Sequence, residues 1–193
     1  IGVGLVGSEM CIRDSLHSGH QKLFELAKKY KTKYKSKVGV VTFDPIPKMF
    51  FNTKIKNYRI SNFNQKVIYL KKFGVDFVIN KKFDKNFSKI TYYKFIKDIL
   101  SEKLRSKFIF VSNNFRFGHK REGDVAILKK YEKDFGYNLI NPTPLMKNKK
   151  IISSTIIRKL LEEGKLSKAN TFLKRNWEIE GKVQRGRMMG QKI

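Results

Sequence analysis

The chain has 193 residues, 40% hydrophobic and 13% aromatic, enough apolar side chain for one domain of ordinary size, which excludes a fully disordered polymer. No stretch approaches the roughly 20 apolar residues of a membrane span, and a single cysteine, Cys11, excludes a disulfide framework and any multi-cysteine zinc site. Lys+Arg number 43 against 16 Asp+Glu, a net charge of +27, but the surplus is mostly lysine scattered among many Asn, Ile, Phe and Tyr, as an AT-rich coding sequence produces, so it argues for attraction to small anions more than for a nucleic-acid interface.

Residues 1–14 have no basic start, and their apolar run is short and broken by glycines, so they do not read as a signal peptide. They are expected to be non-native junction sequence, and Cys11 receives no role. Leu23, Leu26, Ala27 and Tyr30 then recur at helical spacing. Lys37 to Phe43 is a valine-rich run stopped by Asp44-Pro45-Ile46-Pro47, which predicts a strand buried on both faces. Asp76 to Ile79, Phe108 to Val111 and Tyr137 to Ile140 predict shorter strands of the same kind. Between them, Tyr92, Phe95, Ile96 and Ile99 form one helical stripe, and Val125, Leu128 and Tyr131 part of another. Alternating strands and helices predict an α/β fold, a doubly wound parallel sheet with its ligands at the carboxyl ends of the strands. From Lys174 the pattern changes. Trp177 to Val183 alternates apolar and polar before Arg185-Gly186-Arg187, which predicts a solvent-facing strand of a β domain that these residues only begin.

Three constellations carry chemistry. Leu16-His17-Ser18-Gly19-His20 stands directly before the first helix. Glycine lets a phosphate approach the backbone, the free N–H groups of a helix start favour an anion, and the imidazoles are hydrogen-bond donors; the plain alternative is a pair of surface histidines. In Ile152-Ser153-Ser154-Thr155-Ile156-Ile157-Arg158, Ser153 or Ser154 caps the helix bearing Ile156, Ile157, Leu160 and Leu161. The same hydroxyls and Arg158 suit a second phosphate cradle. In Val111-Ser112-Asn113-Asn114-Phe115-Arg116-Phe117-Gly118, Asn114 suits an adenine or ribose and Arg116 a phosphate. Phe115 and Phe117 read equally well as core, and Arg121-Glu122-Gly123-Asp124 as a loop ending in an N-cap.

Taken in order, LHSGHQKL, VVTFDPIP, KKFGVD, FRFG with its following GD, ISSTIIR and the closing IEGKV-to-GQK stretch resemble the prokaryotic bifunctional riboflavin kinase/FMN adenylyltransferase (FAD synthetase) family. The resemblance implies a Rossmann-like H-x-G-H nucleotidyltransferase domain over residues 15–173 and, over 174–193, the truncated start of a β-barrel riboflavin kinase. It implies transfer of AMP from ATP to FMN with Mg²⁺, giving FAD and pyrophosphate, in a cytoplasmic enzyme whose longer parent also phosphorylates riboflavin. By the same resemblance His17, His20 and Arg158 are catalytic. Gly19, Asn114, Ser153, Ser154 and Thr155 bind ATP. Phe43, Asp44, Arg59, Phe87 and Arg116 line the site toward the flavin, as does the stretch from Phe83 to Ser88. No residue is assigned to a metal.

The chain departs from the family pattern at three points. Before the histidines only Asp14 matches a G-x-F-D-G run, which predicts a sheet deprived of its native first and central strand. Ile46 stands where a histidine is usual. The chain ends before the P-T-A-N segment of the kinase. The competing readings are another H-x-G-H adenylyl- or cytidylyltransferase and a basic nucleic-acid-binding module contacting through Lys28 to Lys37 and Lys147 to Lys150.

Overall fold

The computed structural model describes residues 3–7, 16–55, 59–143, 146–147, 150–151, 153–181 and 183. Cys11, Asp14 and Arg185-Gly186-Arg187 lie outside the described residues. Five strands, β1 (Val3–Gly7), β2 (Lys37–Asp44), β3 (Phe77–Lys82), β4 (Ser106–Phe110) and β5 (Asn138–Ile140), pair in parallel in the order β3-β2-β1-β4-β5. The central place is therefore filled, and the expected loss of the middle strand is corrected. Leu5 is in register with Gly39 on one side and Ile109 on the other. A short backbone run suffices here because two ladders satisfy its N–H and C=O groups at once.

Alternation along the buried strands sends side chains to two cores. Val38 and Val40 of β2 and Phe108 and Phe110 of β4 pack with Leu23, Phe24 and Ala27 of α1 (Ser18–Tyr34) and Leu70 of α3 (Phe63–Lys72). On the other face Val41 and Ile109 meet Phe95, Ile96 and Leu100. These lie on a helix that starts as α4 (Tyr92–Lys94) and widens to i→i+5 bonding over Phe95–Lys103. Leu128 of α5 (Val125–Lys130) joins them, and α6 (Glu132–Phe135) follows directly. Helices thus cover both faces, as a parallel sheet requires.

Between β2 and α3 lies α2 (Pro47–Phe51), and buried Ile46 stands just before it. The position where the family usually has histidine thus packs in the core. Beyond β5, β6 (Met146–Lys147) and β7 (Lys150–Ile151) form an antiparallel ribbon. Then α7 (Ser154–Glu162) and α8 (Leu166–Leu173) build a third cluster of Ile157, Ala169, Leu173 and Ile60, with Trp177 against it. The expected strand at Trp177 to Val183 is corrected: its described residues form no ladder. An extended segment needs a neighbour for its backbone, and this one is held by side chains instead.

Candidate active site

In the β1–α1–β2 crossover, α1 starts at the carboxyl edge of the sheet. His17 and His20 stand at that start, 4% and 8% exposed, their ring centroids 3.9 Å apart. The His17 backbone N–H donates to His20 Nδ1 at 3.4 Å, and the His20 N–H donates to the His17 carbonyl at 2.9 Å. Burial pulls the His17 imidazole down to about 4. Burial and then the neighbouring His17 hold His20 well below the usual histidine range. Both rings are therefore neutral at pH 7, and the acceptor role of His20 Nδ1 assigns its proton to Nε2. Gly19 is in the first turn beside them.

The second helix start is α7. Ser153 is its N-cap and accepts from the Ile156 N–H at 3.5 Å. Ser154 is buried, Thr155 exposed and Arg158 half-buried one turn in. Thr155 lines an open cavity of about 500 Å³ together with Phe43 at the end of β2, Phe83 and Phe87 beyond β3, and Phe115 and Arg116 beyond β4. Thr155 thus brings the start of α7 to the cavity, whereas His17, Gly19 and His20 are not among its lining residues. Its aromatic wall is tightly built: Phe43 meets Phe83 at 5.8 Å and Phe87 at 5.3 Å, and Phe115 stacks on Phe117 at 5.3 Å. Phe115 and Phe117 are core and wall at once.

The far wall comes from the FRFG loop. Phe117 and Gly123 exchange backbone hydrogen bonds at 3.0 and 2.8 Å. Gly118 at φ 78° lies so close to Tyr92 that a Cβ would stand 2.7 Å from its backbone nitrogen. The closed loop turns Lys120 and Arg121 onto the cavity, and Lys48 joins them from α2. No motif in the sequence marks these three cations. Arg121 stands in a loop motif that ends in an N-cap, and nothing local distinguishes the lysines from the many others.

The remaining expected residues fall elsewhere. Arg116, by contrast, lines the cavity and also pairs with Asp124 at 2.9 Å. Asp124 caps α5 by accepting from the Ile127 N–H at 2.9 Å. Asn114 is exposed on the turn after β4, off the cavity wall. Asp44 and Arg59 form a partly exposed ion pair with each other and are not among the residues that line the cavity. Among the described residues no group of three or more His, Cys, Asp or Glu side chains gathers to hold a metal ion. No described helix is long and apolar enough to cross a membrane.

A family model described as FAD synthetase matches residues 12–156. The chain belongs to the FAD synthetase family. It is 38% identical over 178 residues to the bifunctional riboflavin kinase/FMN adenylyltransferase of Buchnera aphidicola subsp. Acyrthosiphon pisum, covering 92% of this chain and 57% of that one. It is 33% identical over 180 residues to the Escherichia coli K12 protein of the same name, covering 93% and 58%. The FAD synthetase of Listeria monocytogenes is 29% identical over 179 residues, covering 92% and 72%. The chain therefore spans a little over half the length of the first curated relatives it matches. Among solved structures, one titled as a macrolide-efflux protein from Streptococcus pneumoniae superposes with a TM-score of 0.78 at 26% identity, over 91% of this chain and 65% of that one. That superposition shows a shared α/β fold.

Proposed function

We propose that this chain is the FMN adenylyltransferase part of a bifunctional flavin-cofactor enzyme, a Rossmann-like H-x-G-H nucleotidyltransferase that moves AMP from ATP to FMN. The observation that carries the reading is the cavity itself. Its aromatic wall suits a flat ring system, its cationic side suits a phosphate, and Thr155 joins it to the helix start where a triphosphate would lie.

In the reaction an FMN phosphate oxygen attacks the α-phosphorus of ATP. A new P–O–P bond forms as the bond to the β-phosphate oxygen breaks, and pyrophosphate leaves. The attacking phosphate is already anionic near neutral pH, so no strong base is required. Catalysis is alignment and charge stabilisation. Neutral His17 and His20 donate N–H bonds to phosphate oxygens. The Ser153–Thr155 start of α7 and Arg158 hold the leaving pyrophosphate. Phe43, Phe83 and Phe87 hold the ring, with Lys48, Lys120 and Arg121 near its phosphate. Mg²⁺ carried with ATP would supply neutralisation of phosphate charge beside these residues. The residues after Leu173 then lead toward the riboflavin kinase that makes FMN in the longer protein.

Incubation with FMN, ATP and Mg²⁺ followed by chromatography is expected to give FAD and pyrophosphate in equal amounts. Adenylylation of another phosphorylated acceptor with FMN untouched would overturn the reading.

A further inference from the structure

The segment after α8 does not simply leave the domain. It turns back across the N-terminal half of α3 and the residues before it. The Arg175 guanidinium donates to Ser61 Oγ at 2.8 Å and lies 4.1 Å from the centre of the Tyr69 ring. Trp177 Nε1 donates to the Ile60 carbonyl at 2.9 Å, and its backbone N–H is held by Asn170 Oδ1 of α8 at 2.8 Å. Gln65 Nε2 donates to the Glu178 carbonyl at 3.2 Å, and Asn62 Nδ2 to Glu180 Oε2 at 2.7 Å. Asn62 and Gln65 are also the two members of the α3 capping box.

What this strap grips is one residue from the site's supporting pair. Ile60 follows Arg59, and Arg59 is paired with Asp44. The Asp44 carbonyl accepts the Phe83 N–H at 3.0 Å, and Phe83 packs on Phe43 in the cavity wall. A continuous run of hydrogen bonds and one ion pair therefore leads from Trp177 to the aromatic wall. Trp177 also packs on the cluster that Ile60 shares with Ile157 of α7, but the hydrogen-bonded route runs to the aromatic wall through Arg59 and Asp44.

We propose that Trp177 and Arg175 are positioning residues for the ring-binding wall, acting through Arg59 and Asp44, so that the segment leading out of the domain sets the affinity for the flavin substrate more than that for ATP. The flavin part rests on the proposed adenylyltransferase reading; the mechanical coupling does not. Loss of one buried hydrogen bond and its packing weakens what it supports by about threefold to tenfold.

The test compares Trp177→Ala, Arg59→Ala and the double variant in the full chain. Trp177→Phe serves as a milder change that keeps one aromatic ring on the cluster and removes the indole N–H bond to Ile60. Without ligand, amide hydrogen exchange is read at Phe83. The reference is the Val111 amide, which donates to the Ile140 carbonyl at 3.1 Å on the other side of the sheet. Trp177→Ala is expected to accelerate Phe83 about threefold to tenfold and leave Val111 unchanged, and to add less than twofold once Arg59 is gone. Equal acceleration at both amides, or full additivity with Arg59→Ala, overturns the coupling. With ligand, FMN titration is expected to show a Kd raised by the same factor while the ATP Kd stays within twofold. Equal loss of both overturns the specificity. A wild-type chain that binds no FMN removes the adenylyltransferase reading, while the exchange experiment still decides the strap.

Discussion

The buried histidine pair makes a sharp prediction about acid stability. An unfolded histidine titrates near 6.5, whereas burial holds His17 at about 4 in the fold. Between these values the unfolded chain binds a proton that the folded chain refuses. The stability that a neutral His17 permits is thus complete above about pH 6.5 and is lost as the pH falls toward 4. At about 1.36 kcal/mol per pH unit, lowering the pH from 7 to 5 removes about 2 kcal/mol through His17 alone. His20 is shifted the same way and adds to the loss. His17→Gln replaces the ring by an amide that does not titrate, so its stability should fall by about 2 kcal/mol less than wild type over that interval. Urea unfolding followed by circular dichroism at pH 7, 6 and 5 measures both slopes. Parallel slopes, within about 0.5 kcal/mol, would refute the burial argument. So would an imidazole proton resonance of His17 that titrates near 6.5, and with it the neutral-donor role assigned to the pair.

Gly118→Ala places a Cβ 2.7 Å from the Tyr92 nitrogen at φ 78°, and should cost about 2 kcal/mol or more, read as a lowered Tm. Ser153→Ala removes the α7 cap and should cost about 1 kcal/mol in urea unfolding, with ATP affinity reduced and FMN affinity unchanged. Phe87→Ala opens the wall where Phe43, Phe83 and Phe95 meet it, and is expected to weaken FMN at least tenfold in a titration while ATP binding changes less than twofold.

The parts of the fold that were legible in the sequence are those where burial alone dictates the pattern. Val38 to Thr42 is buried on both faces, and no helix-period reading fits a valine run that stops at Pro45. The stripe of α1 and the cap of α7 were legible for the same local reasons. β1 was hidden because glycines dilute its apolar signal, and its strength lies in two neighbouring ladders that a sequence window does not contain. α3 went unread although Asn62 and Gln65 spell a capping box, because only tertiary contacts give lysine-rich Phe63–Lys72 its buried face. The alternation at Trp177 misled for a related reason. Period two marks any extended segment with two unlike sides, and here Trp177 and Glu180 dock on the residues just before α3 without a ladder while Ile179 and Val183 stay exposed. At the site, the residue types at the strand ends were legible. Which of them pair with one another, as Arg116 does with Asp124 and Arg59 with Asp44, depends on loop closure that spacing does not encode.

Charge and selectivity are separate properties in this molecule. A net charge of +27 draws every polyanion, but its field is screened over about 10 Å at 0.1 M salt and does not distinguish one phosphate ester from another. Discrimination has to come from groups within contact distance. Seven phenylalanines line the cavity, and several already pack against one another, so a flat ring meets a preformed surface and little side-chain freedom is lost on binding. The histidines add nothing to the positive field because burial keeps them neutral; in the proposed reaction their part is that of directional N–H donors. A chain with the same lysines and a disrupted wall would still collect nucleotides at low salt, but it would lose its preference among them. Salt dependence of FMN binding therefore separates the two contributions: the part that survives high ionic strength belongs to the wall, and the part that vanishes belongs to the surface.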